Sequence, residues 1–260
     1  MTTIPPVVPP LPIEHRYARD LPAGAAFHWL RLGWRDLTTN PGPSLLYGLL
    51  VFLLSAGIVA GLIRLAWDFA LFPAIAGFLV FAPTLAIGIY NKSRALELGE
   101  AVSLRHMLLP HARAGGQVLF TGALLCGVML LWMRAAVIIY ALFFGVRSFP
   151  GLDHIAPMLF STSTGVAMLI VGTLVGGLFA AFSFAISAFS IPMMLDKRVD
   201  ALTAMGTSLA LVWHNLSSML VWGAVVLALF LLSVATGFVG LIVVFPWLGH
   251  ATWHAYRAVS

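Results

Sequence analysis

Six long apolar stretches, separated by short polar segments, constrain this chain more than any motif does. At about 20 residues for each membrane crossing, the runs fall at 43–63, 69–89, 117–133, 165–195, 217–234 and 237–256. Of the 260 residues, 61% are hydrophobic and only 9% are charged, against about 25% charged in an average soluble domain. So few charges cannot cover a soluble fold of this size. The sequence therefore predicts an all-α, polytopic membrane bundle of six transmembrane helices.

The basic residues are distributed unevenly between the segments that join these runs. Most of the 14 lie before the first run, in the second and fourth loops, or after the last run: Arg16, Arg19, Arg31, Arg35, Lys92, Arg94, Arg105, Arg113, Lys197, Arg198 and Arg257. The other side has only Arg64 and Arg147, with Arg134 in or near the membrane. The positive-inside rule then places both termini in the cytoplasm, in agreement with an even number of crossings, which puts both termini on the same side. The runs therefore form three hairpins, and the net charge of +5 suits anionic lipid rather than nucleic acid.

The proline-rich start of the chain differs from the rest. MTTIPPVVPPLP has neither the basic region nor the continuous apolar core of a signal peptide. We expect residues 1–22 to be a disordered cytoplasmic tail and residues 23–260 to be a single membrane domain. Cys126, the one cysteine, lies inside an apolar run, where a small buried hydrophobe is the favoured interpretation.

Amphipathic segments precede the hairpins. Before the first and third, apolar residues recur at helical spacing: Phe27, Leu30, Trp34 and Leu37, then Leu202, Met205, Leu209, Val212, Trp213 and Leu216. A weaker version, with Val102, Met107 and Leu108, precedes the second hairpin. The pattern predicts short helices in the cytoplasmic interface. The alternative is that they extend the membrane helices into the cytoplasm.

Arg134 interrupts a third run that otherwise continues to Gly145. From Gln117 to Arg134 an α-helix rises about 26 Å, which is nearly the thickness of the hydrocarbon core. We expect Arg134 to reach the outer interface, with the residues beyond it past the membrane or along its surface. A buried functional arginine is the alternative.

Small residues provide candidate helix-packing faces. Gly57 and Gly61 form one GxxxG pattern, and Gly172 and Gly176 form another. Such faces let helix backbones approach closely, either within one chain or between two copies. Pro192 predicts a kink or an end near the cytoplasmic end of the fourth run.

The apolar runs lack residues and motifs that are common in membrane transporters and enzymes. All nine Asp and Glu residues lie outside them, which disfavours ion-coupled transport through intramembrane carboxylates. The sequence contains no Walker loop, dinucleotide-binding glycine pattern, HExxH or GxSxG. We therefore do not expect an enzyme.

A histidine pair near the end of the chain is the best positive lead. His250 and His254 are four residues apart in GHATWHAYR, so they share one helix face, and Arg257 follows on the same segment. The pair could bind a metal jointly, or one member could ligate haem with a histidine from another helix. The favoured interpretation is that His250 hydrogen-bonds a neighbouring helix and His254 lies among headgroups, with no cofactor.

Three segments also carry a family resemblance: GWRDL before the first run, LDKRVDALTAMGTSL before the fifth, and the ending GLIVVFPWLGHATWHAYRAV. From about Ala26 onward the chain resembles the bacterial integral membrane proteins catalogued as domain of unknown function 2189. The resemblance implies a multi-span protein of the bacterial inner membrane and brings no activity with it.

Three functions remain open from the sequence. The first is a non-catalytic scaffold, assembly factor or regulator of a membrane complex, acting through another protein or a second copy of itself. The second is a small transporter or channel without intramembrane carboxylates. The third, more distant, is a haem- or metal-binding accessory protein of a respiratory oxidase.

Overall fold

The computed structural model describes residues 17–108, 115–145 and 151–260, and every regular element in those ranges is helical. The α-helices, in chain order, are α1 Ala25–Thr38, α2 Pro41–Arg64, α3 Leu71–Leu85, α4 Ile87–Glu97, α5 Leu104–Leu108, α6 Gly115–Phe144, α7 Leu152–Phe160, α8 Ser163–Ser187, α9 Ser190–Asp196, α10 Ala201–His214, α11 Leu216–Ala235 and α12 Leu241–Val259. One turn of 3-10 helix, Asp68–Ala70, precedes α3. The all-α prediction is confirmed for these ranges.

Five helical stretches are long and apolar enough to cross a membrane. They are Pro41–Arg64, Asp68–Glu97, Gly115–Phe144, Ser163–Asp196 and Leu216–Ala235. They coincide with the first five predicted runs, so the chain is a helical integral membrane protein. The count of six is not confirmed, because α12 falls short in apolar character. The reason lies in its packing: eleven of its 19 residues are buried against other helices, so α12 needs fewer lipid-compatible side chains.

Two of these stretches are interrupted along their length. The second divides at Ala86, just after Pro83, into α3 and α4. The fourth divides between α8 and α9, where Ser208 Oγ accepts the backbone N–H of Phe189 at 3.1 Å. Pro192 then lies in the first turn of α9, where its missing N–H removes no intrahelical hydrogen bond. The break therefore falls just before the proline.

The third stretch continues through Arg134 as one helix. α6 has 30 residues, a length of about 45 Å, which exceeds a hydrocarbon core of about 30 Å. Arg134 is exposed on its surface, from where its side chain can reach an interface.

The amphipathic segments form α1 and α10, and their apolar residues divide between two faces. Phe27 and Trp34 of α1 are exposed, by 62% and 46%, whereas Trp29 is buried. On α10, Leu202 and Trp213 are exposed, by 66% and 67%. Each helix therefore packs one face on the protein and presents apolar side chains on the other.

Residues 17–22, expected to belong to the disordered tail, are held by the packed part of the chain. Tyr17 O accepts from Asn215 Nδ2 at 2.9 Å, and Leu21 O accepts from Ser218 Oγ at 2.9 Å. Arg19 Nε donates to Val259 O at 3.0 Å. These contacts attach the segment to the start of α11 and the end of α12; residues 1–16 lie outside the described ranges.

Close backbone approaches concentrate on α12. A Cβ on Gly33 of α1 would lie 2.6 Å from the backbone nitrogen of Ala251, and one on Gly48 of α2 would overlap the carbonyl oxygen of Ile242. A Cβ on Gly249 would lie 2.6 Å from Ile89 of α4. Gly33 and Gly249 lie near the polar end of the bundle, where α2 begins and α4 and α12 end, whereas Ile242 lies near the start of α12.

Candidate functional site: a buried polar chain at one end of the bundle

Four helices bring polar side chains together at the polar end. α1 supplies Asp36, α2 supplies Ser44, α4 supplies the consecutive residues Lys92 and Ser93, and α12 supplies His250. All five are buried; Lys92 is 1% exposed and His250 is not exposed at all. Asp36 lies before the bend between α1 and α2, and Ser44 lies after it. The bend places both side chains against α4 and α12.

The five side chains form one continuous series of hydrogen bonds. Lys92 Nζ lies 2.8 Å from Ser44 Oγ, which lies 3.0 Å from His250 Nε2. His250 Nδ1 lies 2.7 Å from Ser93 Oγ, which lies 2.8 Å from Asp36 Oδ2. We call this series, together with His254, the polar chain.

The donors and acceptors of the polar chain fit only one direction between the charged ends. The Lys92 ammonium can only donate, so Ser44 Oγ accepts from it and gives its own proton to His250 Nε2. His250 then carries its proton on Nδ1 and donates to Ser93 Oγ, and Ser93 donates to Asp36. Each polar atom in the series is satisfied, as burial requires.

His254 completes the polar chain at its more accessible end. Its Nε2 lies 2.8 Å from Asp36 Oδ2, with the two side chains 17% and 7% exposed. Burial alone would raise the pKa of Asp36, but the hydrogen bonds from His254 and Ser93 outweigh it and hold that pKa below its ordinary value. Asp36 is therefore an anion that receives two side-chain hydrogen bonds.

The bend between α1 and α2 is fixed by the cationic end of the polar chain. Lys92 Nζ also donates to the backbone carbonyl of Asn40 at 2.7 Å. Asn40 has a φ of 53°, the left-handed conformation that asparagine tolerates better than most residues. The bend is therefore fixed from α4: Ser93 binds Asp36 before it, and Lys92 binds Asn40 at the bend and Ser44 after it.

A second polar group lies beside the first and is more exposed. Arg257 Nη2 lies 2.9 Å from Glu97 Oε1, and Arg257 Nη1 lies 3.6 Å from Asp196 Oδ2. Tyr256 Oη donates to Asp196 at 3.0 Å, and Trp253 Nε1 donates to Glu97 at 3.1 Å. These contacts bring together the ends of α4, α9 and α12, although ion pairs this exposed add little stability.

The structure brings some of the sequence-predicted site residues together and leaves others apart. His250 and His254 both belong to the polar chain, and Arg257 lies one turn further along α12. Arg134 is remote in sequence and forms no ion pair within the described ranges.

The predicted glycine faces differ from one another. A Cβ on Gly176 would lie 2.8 Å from the Trp132 ring. By contrast, no described atom lies within 4 Å of a Cβ built on Gly57, Gly61 or Gly172. Close packing within the chain therefore uses Gly176 of the two predicted patterns, together with Gly33 and Gly48, which those patterns do not include.

Sequence reasoning missed four members of the polar chain. Lys92 was assigned to a loop, but it lies inside α4 and is buried. Asp36 was grouped with the carboxylates outside the runs; it is indeed outside them, yet α1 carries it into the core. A signal for Asp36 existed, because it shares a helix face with Trp29 and Gly33 at spacings of seven and three residues.

Metal or haem ligation by the histidines has a cost in this arrangement. Both ring nitrogens of His250 are hydrogen-bonded to serines, so a ligand bond would break one of these contacts. In the part of the chain that the structure describes, no three His, Cys, Asp or Glu side chains are grouped to hold a metal ion. The polar chain joins four helices. It also keeps the Lys92 ammonium and the Asp36 carboxylate buried without contact between them.

The fold and this site define a class of protein: an all-helical integral membrane protein whose helices are joined at one end by buried polar groups. Residues 71–196, just under half of the chain, match the family described as predicted integral membrane protein, domain of unknown function 2189. The resemblance predicted from the sequence is therefore confirmed, although the matched residues stop before the C-terminal segment. The chain has no match among curated proteins or solved structures.

Proposed function

We propose that this protein is a non-catalytic scaffold, assembly factor or regulator that binds another membrane protein or a second copy of itself. The observation that carries the proposal is the uncovered state of two long helices away from the polar end. No residue at positions 52–64 of α2 is buried, and none at positions 166–182 of α8. We call these segments the far halves of α2 and α8.

The far halves carry features that suit helix–helix contact in a membrane. Gly57, Gly61 and Gly172 face open space, and large apolar side chains such as Ile58 and Leu174 are exposed around them. Small residues beside such side chains let a second helix approach closely. Lipid covers the same surface when no partner is bound.

The proposal includes six crossings in the bacterial inner membrane, with both termini in the cytoplasm. Polar contacts support a shared end for alternate helix termini. Arg19 N donates to Asn215 before α11, Lys92 of α4 bonds Asn40 before α2, and Arg257 of α12 bonds Asp196 of α9. Most of the basic residues belong to this end, which the positive-inside rule assigns to the cytoplasm. α12 then crosses mainly inside protein, where high hydropathy is not required.

The test is association of the full chain purified in a mild detergent. We expect a dimer by light scattering, or one identified membrane protein that returns in repeated purifications. Gly57→Leu/Gly61→Leu should abolish the association without lowering the melting temperature, because both positions are open. Val59→Leu, on the opposite side of α2, is the matched control and should keep it. A lone monomer, or association unaffected by Gly57→Leu/Gly61→Leu, would contradict the proposal.

A transporter or channel is the second candidate, and the buried ionisable residues of the polar chain favour it. Lys92, His250 and Asp36 are costly to bury, which is a common mark of ion or proton handling. Against this, a cavity of about 100 Å³ between α3, α8, α11 and α12 is lined mainly by apolar side chains such as Phe78, Phe230 and Phe245. Vesicles containing the protein should take up protons or ions faster than empty vesicles if this candidate is right, and Lys92→Met should stop the uptake.

The haem- or metal-binding accessory role has the least support, because His250 has both ring nitrogens engaged. A visible absorption spectrum and metal analysis of the purified protein test it directly. A Soret band that His250→Ala removes would establish it, and a colourless, metal-free protein would end it.

A further inference from the structure

The exposed face of α1 has two chemically different edges. At 100° per residue, Phe27 and Trp34 lie within about 20° of each other around the helix. Arg31 and Arg35 follow on one side of them, about 40° and 80° from Phe27. All four side chains are exposed. An apolar edge therefore runs along α1 directly beside a basic edge.

This face is held in a fixed position by the opposite side of the helix. Gly33 lies against the backbone of Ala251, and Trp247 Nε1 donates to Leu30 O at 2.8 Å. Trp34 also packs edge-to-face on Trp247, with ring centroids 5.1 Å apart. The surface is therefore preformed, and a ligand would bind it without ordering α1.

The two arginines are free to bind an anion. Within residues 17–108, 115–145 and 151–260, neither Arg31 nor Arg35 forms a salt bridge. Their spacing of four residues places both on one helix face. Guanidinium groups bind phosphate oxygens in a bidentate manner.

We propose that Arg31 and Arg35 bind the phosphate of an anionic phospholipid, while Phe27 and Trp34 lie among the acyl chains beside it. The adjacent apolar edge selects a lipid over a soluble phosphate, because an exposed phenylalanine and indole need hydrocarbon next to the charge. Amphipathic helices with basic and apolar edges bind anionic bilayer surfaces in this way.

α10 provides an internal contrast. It has the same kind of exposed apolar stripe, with Leu202, Leu209 and Trp213. Its sequence, ALTAMGTSLALVWH, contains no lysine or arginine. α10 should therefore contact the bilayer without choosing between headgroups.

The experiment measures which lipid stays with the full-length protein. The protein is purified, equilibrated with mixed micelles of phosphatidylglycerol and phosphatidylcholine in equal amounts, and analysed for retained lipid by native mass spectrometry. We expect a preference for phosphatidylglycerol that Arg31→Gln/Arg35→Gln reduces by about fivefold for each arginine. Arg31→Lys/Arg35→Lys should keep part of it, because the charge remains and the bidentate geometry is lost.

Arg105→Gln/Arg198→Gln is the matched control, since it removes two exposed arginines that lie outside α1. It should retain the preference, and each variant should melt at the wild-type temperature. The proposal is wrong if the wild type shows no preference, or if the control abolishes the preference as fully as Arg31→Gln/Arg35→Gln does. The proposal is also wrong if Arg31→Gln/Arg35→Gln loses a bound protein and keeps its lipid, because the exposed face of α1 would then bind a protein.

Discussion

At the polar end of the bundle, side chains from α1, α2, α4 and α12 enclose Lys92 and His250 completely, whereas the far halves of α2 and α8 contain no buried residue. The same contrast holds for glycines. Gly33 lies against a backbone that leaves no room for a methyl group, and Gly57 faces open space. α1, α4 and α12 are less apolar than α2 and α8, but α2 belongs to both regions, so its own two halves differ in their packing and not only in composition.

The difference shows where this protein places its specific interactions. In a bilayer, apolar contact between helices gains little over contact with lipid, so hydrogen bonds and close packing must select one arrangement. Here the polar end has both: the buried polar chain across four helices and the close approach of Gly33 to α12. The far halves are then free to serve lipid or a partner. Changes at the polar end should therefore destabilise the fold, and equal changes at the open positions of the far halves, such as Gly57, should not.

The largest loss should follow Lys92→Met. The change leaves Asn40 O and Ser44 Oγ without the donor that Lys92 supplies. A buried acceptor that loses its donor costs about 1–3 kcal/mol, and more where the lost donor is charged, so two such losses make this the largest expected effect. Thermal unfolding in detergent measures the effect. The double variant Lys92→Met/Asp36→Asn should lose less than the sum of the single variants, and simple additivity would contradict coupling through the polar chain.

Gly33→Ala should have the next largest effect. The added Cβ would lie 2.6–2.8 Å from Ala251 atoms, so α1 must move away from α12. We expect a loss of about 2–3 kcal/mol. Gly57→Ala, with nothing near its Cβ, is the matched control and should melt at or slightly above the wild-type temperature. Equal melting temperatures for Gly33→Ala and Gly57→Ala would contradict the difference in packing between the polar end and the far halves.

Ser93→Ala should cost about 1–3 kcal/mol, because His250 Nδ1 loses its acceptor and Asp36 loses a donor. Ser55→Ala is the control from α2, where the hydroxyl only returns to the carbonyl of Val51 at 2.8 Å. It should change stability by less than about 0.5 kcal/mol. Comparable losses for the two serines would mean that the polar chain has no special role.

The smallest effect should be a dependence of stability on acid pH. Because the pKa of Asp36 lies below its ordinary value, its charged form is stabilised in the folded state. That contribution is fully present above the ordinary aspartate pKa of about 3.9 and is lost as the pH falls through the lower, folded-state pKa. The melting temperature of the wild type should fall towards that of Asp36→Asn below about pH 4. A constant gap between the two would show that Asp36 does not titrate this way.

Much of the fold could be predicted from the sequence because a bilayer restricts which segments can cross it. Five of the six runs match helices of suitable length and apolar character. The sixth run differs, since α12 combines Pro246, His250, His254 and Arg257 with a surface that protein covers. High hydropathy is needed where a helix contacts lipid. A helix that other helices enclose can cross a membrane with lower hydropathy.

The site could be predicted only in part. The four-residue spacing of His250 and His254 placed both on one face, but no local pattern states which helices that face meets. Ser44 and Ser93 are short polar residues at run ends, where serines are common for many reasons. Ser44 and Ser93 become partners of His250 only because α1, α2 and α4 pack around α12. That packing is a property of the tertiary structure.

The packing of α1 on α12 has a consequence for biosynthesis. Asp36 and His254 are 218 residues apart in the chain, so α1 leaves the ribosome long before its binding surface exists. During synthesis the apolar side chains of α1 can meet only lipid or other parts of the nascent protein. Docking of α1 on α12 therefore has to wait until nearly the whole chain has been made.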